Sequence, residues 1–313
     1  MKRQGLDIDK TPFFDRYFYQ PGFAHKLIAF VLLPVSGVYY LVSLLSFVLG
    51  RTHRPPIPCI SIGNLIVGGS GKSPMALKIA SMAENSALIL RGYARESKGV
   101  VVVSKNGELL ESLQRVGDEA YMLACEHKAG CVIVAENRLE GVKKAHKMGA
   151  KVAILDDGFR HKIEKLNILL EPQVKPCFKL VLPSGAYRVP PFLRKKADFI
   201  LQDGVDYKRV VTIKNKTDKM LLLTAIANPA RLDKFLPHEY IVGRLYYNDH
   251  SRFEFEEIRS SFDKAEATSL LVTKKDLVKL GKIGLPISVM NLDIEIVNSE
   301  FESSLKSFLH QID

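Results

Sequence analysis

The chain contains 313 residues, of which 47% are hydrophobic and 25% are charged. This composition is typical of a globular protein and excludes a disordered, collagen-like or low-complexity chain. The length is sufficient for one large or two ordinary domains with a buried core. The four cysteines have no C-x-x-C spacing, which argues against a zinc module or a disulfide scaffold.

The formal net charge of +11 indicates an anionic partner. Three classes of partner fit such a charge: nucleic acid, an anionic membrane surface, and a phosphorylated acidic substrate. The sequence contains no RRM signature, zinc knuckle or long basic run, so we expect no nucleic-acid partner.

The first predicted element is an uncharged stretch of 23 residues, Leu27 to Leu49. It is longer than the ~18 residues that indicate a membrane span. Because Pro34 lacks a backbone N–H, a short helix over 27–33 and a longer one over 35–49 are expected to meet at an angle. Basic residues flank both ends, and the positive-inside tendency would keep both flanks in the cytoplasm. We therefore favour a membrane-dipping or interfacial helix over a full span or a buried core helix.

A strand, a glycine-rich loop and a helix are predicted next. An apolar run from Cys59 to Asn64 precedes the loop, and an amphipathic pattern from Met75 to Met82 follows it. Glycines allow backbone N–H groups to surround phosphate oxygens, and a helix N-terminus adds positive potential. We therefore predict a phosphate loop in which Lys72 reaches the β- and γ-phosphates and Ser73 binds Mg²⁺. The predicted nucleotide-binding residues are Gly68, Gly69, Ser70, Gly71, Lys72 and Ser73.

A second apolar strand, from Lys151 to Leu155, ends in Asp156 and Asp157. Acids at the carboxyl end of a parallel strand, together with a phosphate loop, are typical of a metal site. A turn between two strands is the alternative interpretation. The pattern predicts a metal site made by Ser73 with one or both of these aspartates.

Strands and helices alternate from Ile57 to Leu182, which indicates a mostly parallel, doubly wound sheet. A polar segment from Asp203 to Lys219 is interpreted as a linker, and a new apolar strand begins at Met220. The expected fold is α/β, with a P-loop NTPase-like, mostly parallel sheet core, an N-terminal membrane-associating helix and a smaller C-terminal α/β lobe. The predicted divisions are a membrane-docking arm at 1–50, a P-loop core at 51–205 and the smaller lobe at 206–313.

The motifs together resemble those of the tetraacyldisaccharide 4'-kinase family, the lipid A 4'-kinases. The resemblance covers most of the chain, in order, through the segments Gly63–Pro74, Arg91–Arg95, Val116–Ala124, Leu155–His161, Pro183–Arg188, Asp249–Phe253 and Thr273–Leu280. The chain departs from the family pattern at Arg160, Val189 and Lys274, where Gln, Glu and Glu are usual. Auxiliary acidic roles at the last two positions are therefore not expected here.

This resemblance implies ATP- and Mg²⁺-dependent phosphorylation of the 4'-hydroxyl of a tetraacyldisaccharide 1-phosphate in lipid A biosynthesis. It implies that Asp118 is the base for the sugar hydroxyl, that His250 pairs with it on lobe closure, and that Lys72 neutralises phosphate charge. The acceptor is an acylated lipid, so the enzyme is expected at the cytoplasmic face of the inner membrane, docked through residues 27–49. Candidates for phosphate or substrate contacts are Arg91, Arg95, Arg138 and Arg188, and His161 is expected to be structural.

The main alternative is another membrane-associated P-loop ATPase or GTPase. The chain lacks an evident N-K-x-D motif, which argues against the GTPase. A non-catalytic membrane anchor is a further alternative, but it would leave the phosphate and metal motifs unexplained.

Overall fold

The computed structural model describes residues 13–68, 71–172, 174–226, 229–248, 253–281 and 283–311, without the side chains of Asp15 and Ala230. The α-helices are α1 (Phe13–Tyr19), α2 (Phe23–Val31), α3 (Leu33–Leu49), α4 (Lys72–Ala80), α5 (Leu113–Val116), α6 (Asp118–Glu126), α7 (Arg138–Lys147), α8 (Phe255–Lys264), α9 (Lys274–Leu280) and α10 (Ser299–His310). The strands are β1 (Cys59–Gly63), β2 (Ser86–Leu90), β3 (Val101–Lys105), β4 (Glu108–Leu109), β5 (Gly130–Val134), β6 (Val152–Asp156), β7 (Leu166–Glu171), β8 (Phe199–Gln202), β9 (Tyr207–Lys214), β10 (Met220–Thr224), β11 (Ile241–Tyr246), β12 (Ser269–Thr273) and β13 (Ile287–Ile296). Short 3₁₀ helices lie at Pro191–Lys196, Pro229–Phe235 and His238–Tyr240.

The larger sheet has eight strands in the order β4-β3-β5-β2-β6-β1-β7-β8. The six strands β5, β2, β6, β1, β7 and β8 pair in parallel, and at one edge β3 pairs antiparallel with both β5 and β4. The five residues of β1, β2, β5 and β6 are all buried, because helices cover both faces of the sheet. The predicted α/β class and mostly parallel core are confirmed.

Two hydrophobic clusters lie on opposite faces of this sheet. On one face, Met75 and Ile79 of α4 and Leu123 of α6 pack against β1 and its neighbours. On the other face, Val142 and Ala145 of α7 pack against β2, β5 and β6. These helices hold the carboxyl ends of β1 and β6 next to the N-termini of α4 and α6.

The smaller sheet has five strands in the order β11-β10-β12-β13-β9. The predicted strand at Met220 is β10. The segment Asp203–Lys219, interpreted from its polarity as a linker, instead contains β9, which pairs antiparallel with β13 over eight residues from Tyr207 to Lys214. The linker interpretation was wrong there because β9 alternates buried or half-buried residues with exposed ones.

The C-terminal helix α10 packs in a cluster that includes residues of both sheets, among them Tyr207 of β9 and Ile294 of β13. Its Phe301, Leu305 and Leu309 belong to the same cluster as Ile60 and Ile62 of β1. The end of the chain therefore contributes to the core of the larger sheet.

The N-terminal arm is built as the sequence predicts, from two helices that meet at an angle. Helices α2 and α3 are bent by 57° at Leu32, and together they have the length and hydropathy of a broken membrane span or a re-entrant loop. Within the described residues, neither helix alone is long and apolar enough to cross a membrane. One side of α3 contacts the core: Ser36 Oγ lies 2.8 Å from Ser184 Oγ, and Tyr39 donates to the Arg188 carbonyl at 3.0 Å. Large apolar side chains elsewhere on the arm are exposed, including Phe30 (70%), Val38 (65%) and Val48 (63%).

Candidate active site

The predicted phosphate loop lies where the sequence places it, between β1 and α4. Gly71 is the N-cap of α4 and has a positive φ of 80°. Because a helix start lacks a preceding turn, the N–H groups of Lys72 and Ser73 have no intrahelical partner. Lys72 Nζ donates to Asn64 Oδ1 at 3.2 Å and lies 3.9 Å from Asp157 Oδ1. Gly69 and Ser70 lie outside the described residues. The loop therefore presents a helix N-terminus and an ammonium group at one point, which is an arrangement that binds anions.

The three groups Ser73, Asp156 and Glu119 form an oxygen cluster below this loop. Ser73 Oγ lies 2.6 Å from Asp156 Oδ2 and 2.5 Å from Glu119 Oε1. Asp156 reaches this point because β6 pairs with β1 in a register that sets it opposite Ile62. Burial, followed by repulsion from Glu119, raises the pKa of Asp156 well above its usual range, although Lys72 and Ser73 lower it in part.

The cluster has the properties of a cation site. Asp156 Oδ1 is buried and has no hydrogen-bond partner among the described residues. A bound cation would satisfy this oxygen and relieve the repulsion between the two carboxylates. Mg²⁺ prefers oxygen ligands and commonly uses one or two carboxylates together with phosphates and water. In the described part of the chain no group of three or more His, Cys, Asp and Glu side chains could hold a metal ion. The remaining ligands of a cation at this cluster would come from phosphate or water.

Asp157 has different partners from its neighbour. Its backbone is left-handed, with φ 54°, and its carboxylate contacts Arg188, whereas that of Asp156 contacts Ser73. Arg188 binds both carboxylate oxygens, at 2.8 and 2.7 Å. Burial opposes the charge of Asp157, but the Arg188 hydrogen bonds and Lys72 hold its pKa well below the usual range. The two aspartates are thus divided between a hydroxyl-carboxylate cluster and an arginine pair.

Asp118 begins α6 and is only 7% exposed. Its Oδ2 lies 3.2 Å from Lys279 Nζ and 3.6 Å from Lys275 Nζ, and both lysines belong to α9 of the smaller lobe. Gly117, with φ 86°, is required before it, because a Cβ there would lie 2.6 Å from the Tyr93 carbonyl oxygen. His250, the predicted partner of Asp118, lies outside the described residues, together with 249 and 251–252.

The four candidate arginines have distinct surroundings. Arg188 pairs with Asp157, and Arg95 pairs with Glu136. Arg138 is 2% exposed and donates to the Asp156 carbonyl at 3.2 Å, and burial lowers its pKa to about 10. Arg91, which directly follows β2, is exposed. Arg138 therefore supports the backbone of the acidic pair, and Arg91 faces solvent.

Four site residues had no functional role in the sequence prediction. Glu119 lies in the first turn of α6, where an acid is ordinarily explained by the helix dipole, and Asn64, Lys275 and Lys279 stand out in the sequence only as members of the motif segments. Their roles depend on which helix ends meet in space. The available signal was that all four lie inside the motif segments.

A cavity of about 530 Å³ opens beside the phosphate loop. Gly68 and Gly71 form one side, Leu77 and Met122 come from the larger lobe, and Phe235 comes from the smaller lobe. Its size and largely apolar wall are typical of a small-molecule site.

Comparisons with known proteins identify the family. The family model described as tetraacyldisaccharide-1-P 4'-kinase matches residues 28–310. The chain belongs to the tetraacyldisaccharide-1-P 4'-kinase family. It is 48% identical over 285 residues to a tetraacyldisaccharide 4'-kinase from Helicobacter pylori (strain ATCC 700392 / 26695), covering 91% of each chain. It is 40% identical over 304 residues to one from Aliarcobacter butzleri (strain RM4018), covering 95% of this chain and 96% of the relative.

The fold agrees with a solved structure of the same kinase family. The crystal structure of an "apo" form of LpxK from Aquifex aeolicus in complex with ATP matches with a TM-score of 0.76 and 26% identity. The match covers 91% of this chain and 99% of the other. The resemblance inferred from the motifs is therefore confirmed, and membership of this kinase family argues against the ATPase and GTPase alternatives.

Proposed function

We propose that the protein transfers the γ-phosphoryl group of ATP to the 4'-hydroxyl of a tetraacyldisaccharide 1-phosphate in lipid A biosynthesis. The observation that carries the proposal is the contact of Ser73, beside Lys72 of the phosphate loop, with both Asp156 and Glu119. Glu119 directly follows the buried Asp118 at the start of α6. The family match and the ATP complex of the related structure support it.

In this proposal the phosphates lie on the first turn of α4, and the cavity beside it takes the nucleoside. The backbone N–H groups around Gly68–Ser73 and the Lys72 ammonium neutralise phosphate charge. Ser73, Asp156 and Glu119 would hold Mg²⁺, which when bound would supply further charge neutralisation to the phosphates. The sequence left open which aspartate is the direct ligand, and we propose Asp156, because Arg188 pairs with both oxygens of Asp157.

Asp118 takes the proton of the acceptor hydroxyl. The oxygen of that hydroxyl bonds to the γ-phosphorus while the bond from the γ-phosphorus to ADP breaks, and ADP leaves. Lys275 and Lys279 stabilise the ionised carboxylate, which is the form that can accept a proton. His250 is proposed to pair with Asp118 and share the proton. The chain around it supports this pairing, since Phe253 lies three residues later with its ring centroid 6.0 Å from Lys279 Nζ.

We place the protein at the cytoplasmic face of the inner membrane, docked through residues 27–49. The acceptor carries acyl chains, and moving each CH₂ into water costs about 0.8 kcal/mol. An enzyme at the interface reaches the sugar hydroxyl without extracting those chains. The exposed apolar side chains of α2 and α3 support this placement.

Incubation with labelled ATP, Mg²⁺ and a tetraacyldisaccharide 1-phosphate in mixed micelles tests the proposed reaction. We expect one labelled phosphate on the 4'-oxygen, identified by mass spectrometry and NMR of the product. ATP hydrolysis at the same rate with and without the acceptor would contradict the kinase assignment.

Replacement of Asp118 tests the proposed base. We expect Asp118→Asn to reduce kcat by about 10²- to 10⁴-fold, the usual contribution of a general base. The affinity for ATP should change little, because Asp118 is not among the phosphate-loop groups. A near-wild-type kcat in a folded Asp118→Asn variant would refute the assignment.

A further inference from the structure

Strand β9 of the smaller sheet brings a cation to the phosphate loop. A Cβ placed on Gly71 would lie 3.3 Å from Nη2 of Arg209, so the guanidinium packs directly against the residue that precedes α4. Arg209 and Gly71 also line the same 530 Å³ cavity. This arginine lies outside every motif considered above, in the segment that the sequence suggested was a linker.

The guanidinium is held firmly but is incompletely paired. Arg209 Nη2 lies 2.9 Å from Asp203 Oδ2, and the two side chains are only 17% and 11% exposed. The hydroxyl of Tyr207 also contacts the guanidinium. Arg209 Nε is buried, and within the described part of the chain it has no hydrogen-bond acceptor. A buried N–H without an acceptor is unfavourable, so this donor indicates a ligand.

The position of the donor identifies the ligand chemistry. Guanidinium groups bind phosphate oxygens through several N–H donors in a fixed plane. A phosphate on the first turn of α4 lies next to Arg209 and would supply the missing acceptor. Asp203 holds Arg209 through Nη2, which leaves other donors of the fork for the phosphate.

We propose that Arg209 is a phosphate-binding residue that the smaller lobe contributes to the nucleotide site. The proposal rests on the nucleotide site proposed above and adds to it a contact from the other lobe. Nucleotide phosphates would then touch both lobes, with Lys72 on one side and Arg209 on the other. Binding of the nucleotide would consequently stabilise the arrangement of the two lobes.

The test compares Arg209→Ala and Arg209→Gln with Lys208→Ala. Lys208 is the exposed neighbour on the opposite face of β9, so its removal changes the net charge equally. Affinities for ATP and ADP are measured by calorimetry with Mg²⁺, and that for adenosine by ligand-observed NMR, which detects weak binding. Thermal unfolding without nucleotide shows whether each variant is folded.

We expect Arg209→Ala to weaken ATP and ADP binding roughly 10- to 100-fold, as for loss of a hydrogen bond to a charged group. Adenosine binding should be unchanged, Lys208→Ala should match the wild type, and Arg209→Gln should lose less because it keeps a donor. Unchanged ATP affinity in a folded Arg209→Ala variant would overturn the proposal. Equal losses for ATP and adenosine would also overturn it, because the arginine would then only shape the cavity. If Arg209→Ala does not fold, the same comparison is made with Arg209→Gln.

These measurements need no acceptor lipid. If the wild type binds ATP but transfers no phosphate to the disaccharide, the proposed function fails and the role of Arg209 is still decided by binding. If transfer occurs and Arg209→Ala binds ATP normally, the proposed function stands and only the present inference fails.

Discussion

Three aspartates of one site carry their charge in three different environments. Asp156 faces Ser73 and Glu119, Asp157 faces Arg188, and Asp118 faces two lysines. Burial, followed by repulsion from Glu119, raises the pKa of Asp156, whereas cations lie beside the other two carboxylates. Asp156 is the aspartate whose negative charge the protein alone stabilises least, and it is therefore the one best suited to hold a metal ion.

The motifs predicted which residue types the site contains better than they predicted which side chains contact one another. Ser73 and Asp156 lie 2.6 Å apart, because the carboxyl ends of adjacent parallel strands meet at one edge of a sheet. Their role in binding a metal ion stays a prediction. Glu119 was not predicted, because an acid at a helix N-terminus is ordinarily explained by the helix dipole alone. Its role follows only from the approach of α6 to α4.

At the same scale, His161 predicts a pH dependence of stability. Burial, with the positive charges of Arg138 and Lys165, lowers the pKa of His161 to about 4 from the usual 6.5. Between these values the unfolded chain binds a proton that the folded chain does not, so acidification favours unfolding. Stability from this group is fully present above pH 6.5 and is lost as the pH falls to about 4, by roughly 3 kcal/mol.

Urea unfolding at a series of pH values checks this expectation. His161→Gln should remove this component, so that the free-energy difference between wild type and variant shrinks as the pH falls from 6.5 to 4. Parallel pH profiles for the two proteins would show that His161 does not titrate as expected.

At the scale of elements, strand β9 and helix α9 are rich in basic residues, yet both pack against other elements of the fold. Strand β9 contains three Lys and Arg residues and looks like a linker, yet Tyr207, Arg209, Val211 and Ile213 alternate inward. Period-two alternation was the available signal, and the basic residues concealed it. Helix α9 is equally basic, and it docks on α6 through ion pairs of Lys274, Lys275 and Lys279.

The ion pair between α9 and α6 can be tested by charge reversal. Lys274 Nζ lies 2.6 Å from Glu126 Oε2, and the side chains are 20% and 34% exposed. We expect Lys274→Glu to lower the free energy of unfolding by about 1 kcal/mol, because it sets two carboxylates together. The double variant Glu126→Lys/Lys274→Glu should recover most of this loss, as measured by urea unfolding.

The double-mutant cycle supplies the control for that measurement. Glu126→Lys alone should destabilise to a similar degree, and the coupling energy should be favourable for opposite charges. Additive effects of the two single changes would mean that the pair does not hold the lobes together.

At the scale of the whole molecule, apolar surface is distributed unevenly. Clusters on both faces of the larger sheet and on the smaller sheet are buried, whereas the arm exposes large apolar side chains along α2 and α3. Contiguous exposed apolar surface of this kind marks an interaction site. The basic residues that flank the arm suit an anionic bilayer.

Charged substitutions on the exposed side of the arm test this placement. We expect Val42→Asp/Val48→Asp, at positions 60% and 63% exposed, to reduce cosedimentation with anionic lipid vesicles at least tenfold. Burying a charged side chain among acyl chains costs a few kcal/mol. Stability in solution should change little, because neither side chain is buried in the folded protein.

Val205→Asp is the matched control, since Val205 is also 60% exposed but lies outside the arm. It should sediment with vesicles as the wild type does. Equal losses in the arm variant and in Val205→Asp would indicate a general charge effect, and no loss in either would contradict docking through residues 27–49.

The sequence by itself determined the alternation of strands and helices, the phosphate loop, the acidic strand end and the bent apolar arm. These are local properties, because glycine and proline act on their own backbone and hydrophobic periodicity follows from the geometry of one element. The division into 1–50, 51–205 and 206–313 stays a prediction of the same kind.

Only the tertiary structure decided which side chains share a site. Asp156 rather than Asp157 contacts Ser73, whereas the carboxylate of the left-handed Asp157 contacts Arg188. Glu119, Lys279 and Arg209 reach the site from α6, α9 and β9, which are distant in sequence from the phosphate loop. Contacts between elements depend on sheet order and helix packing, and no periodicity within a single element encodes them.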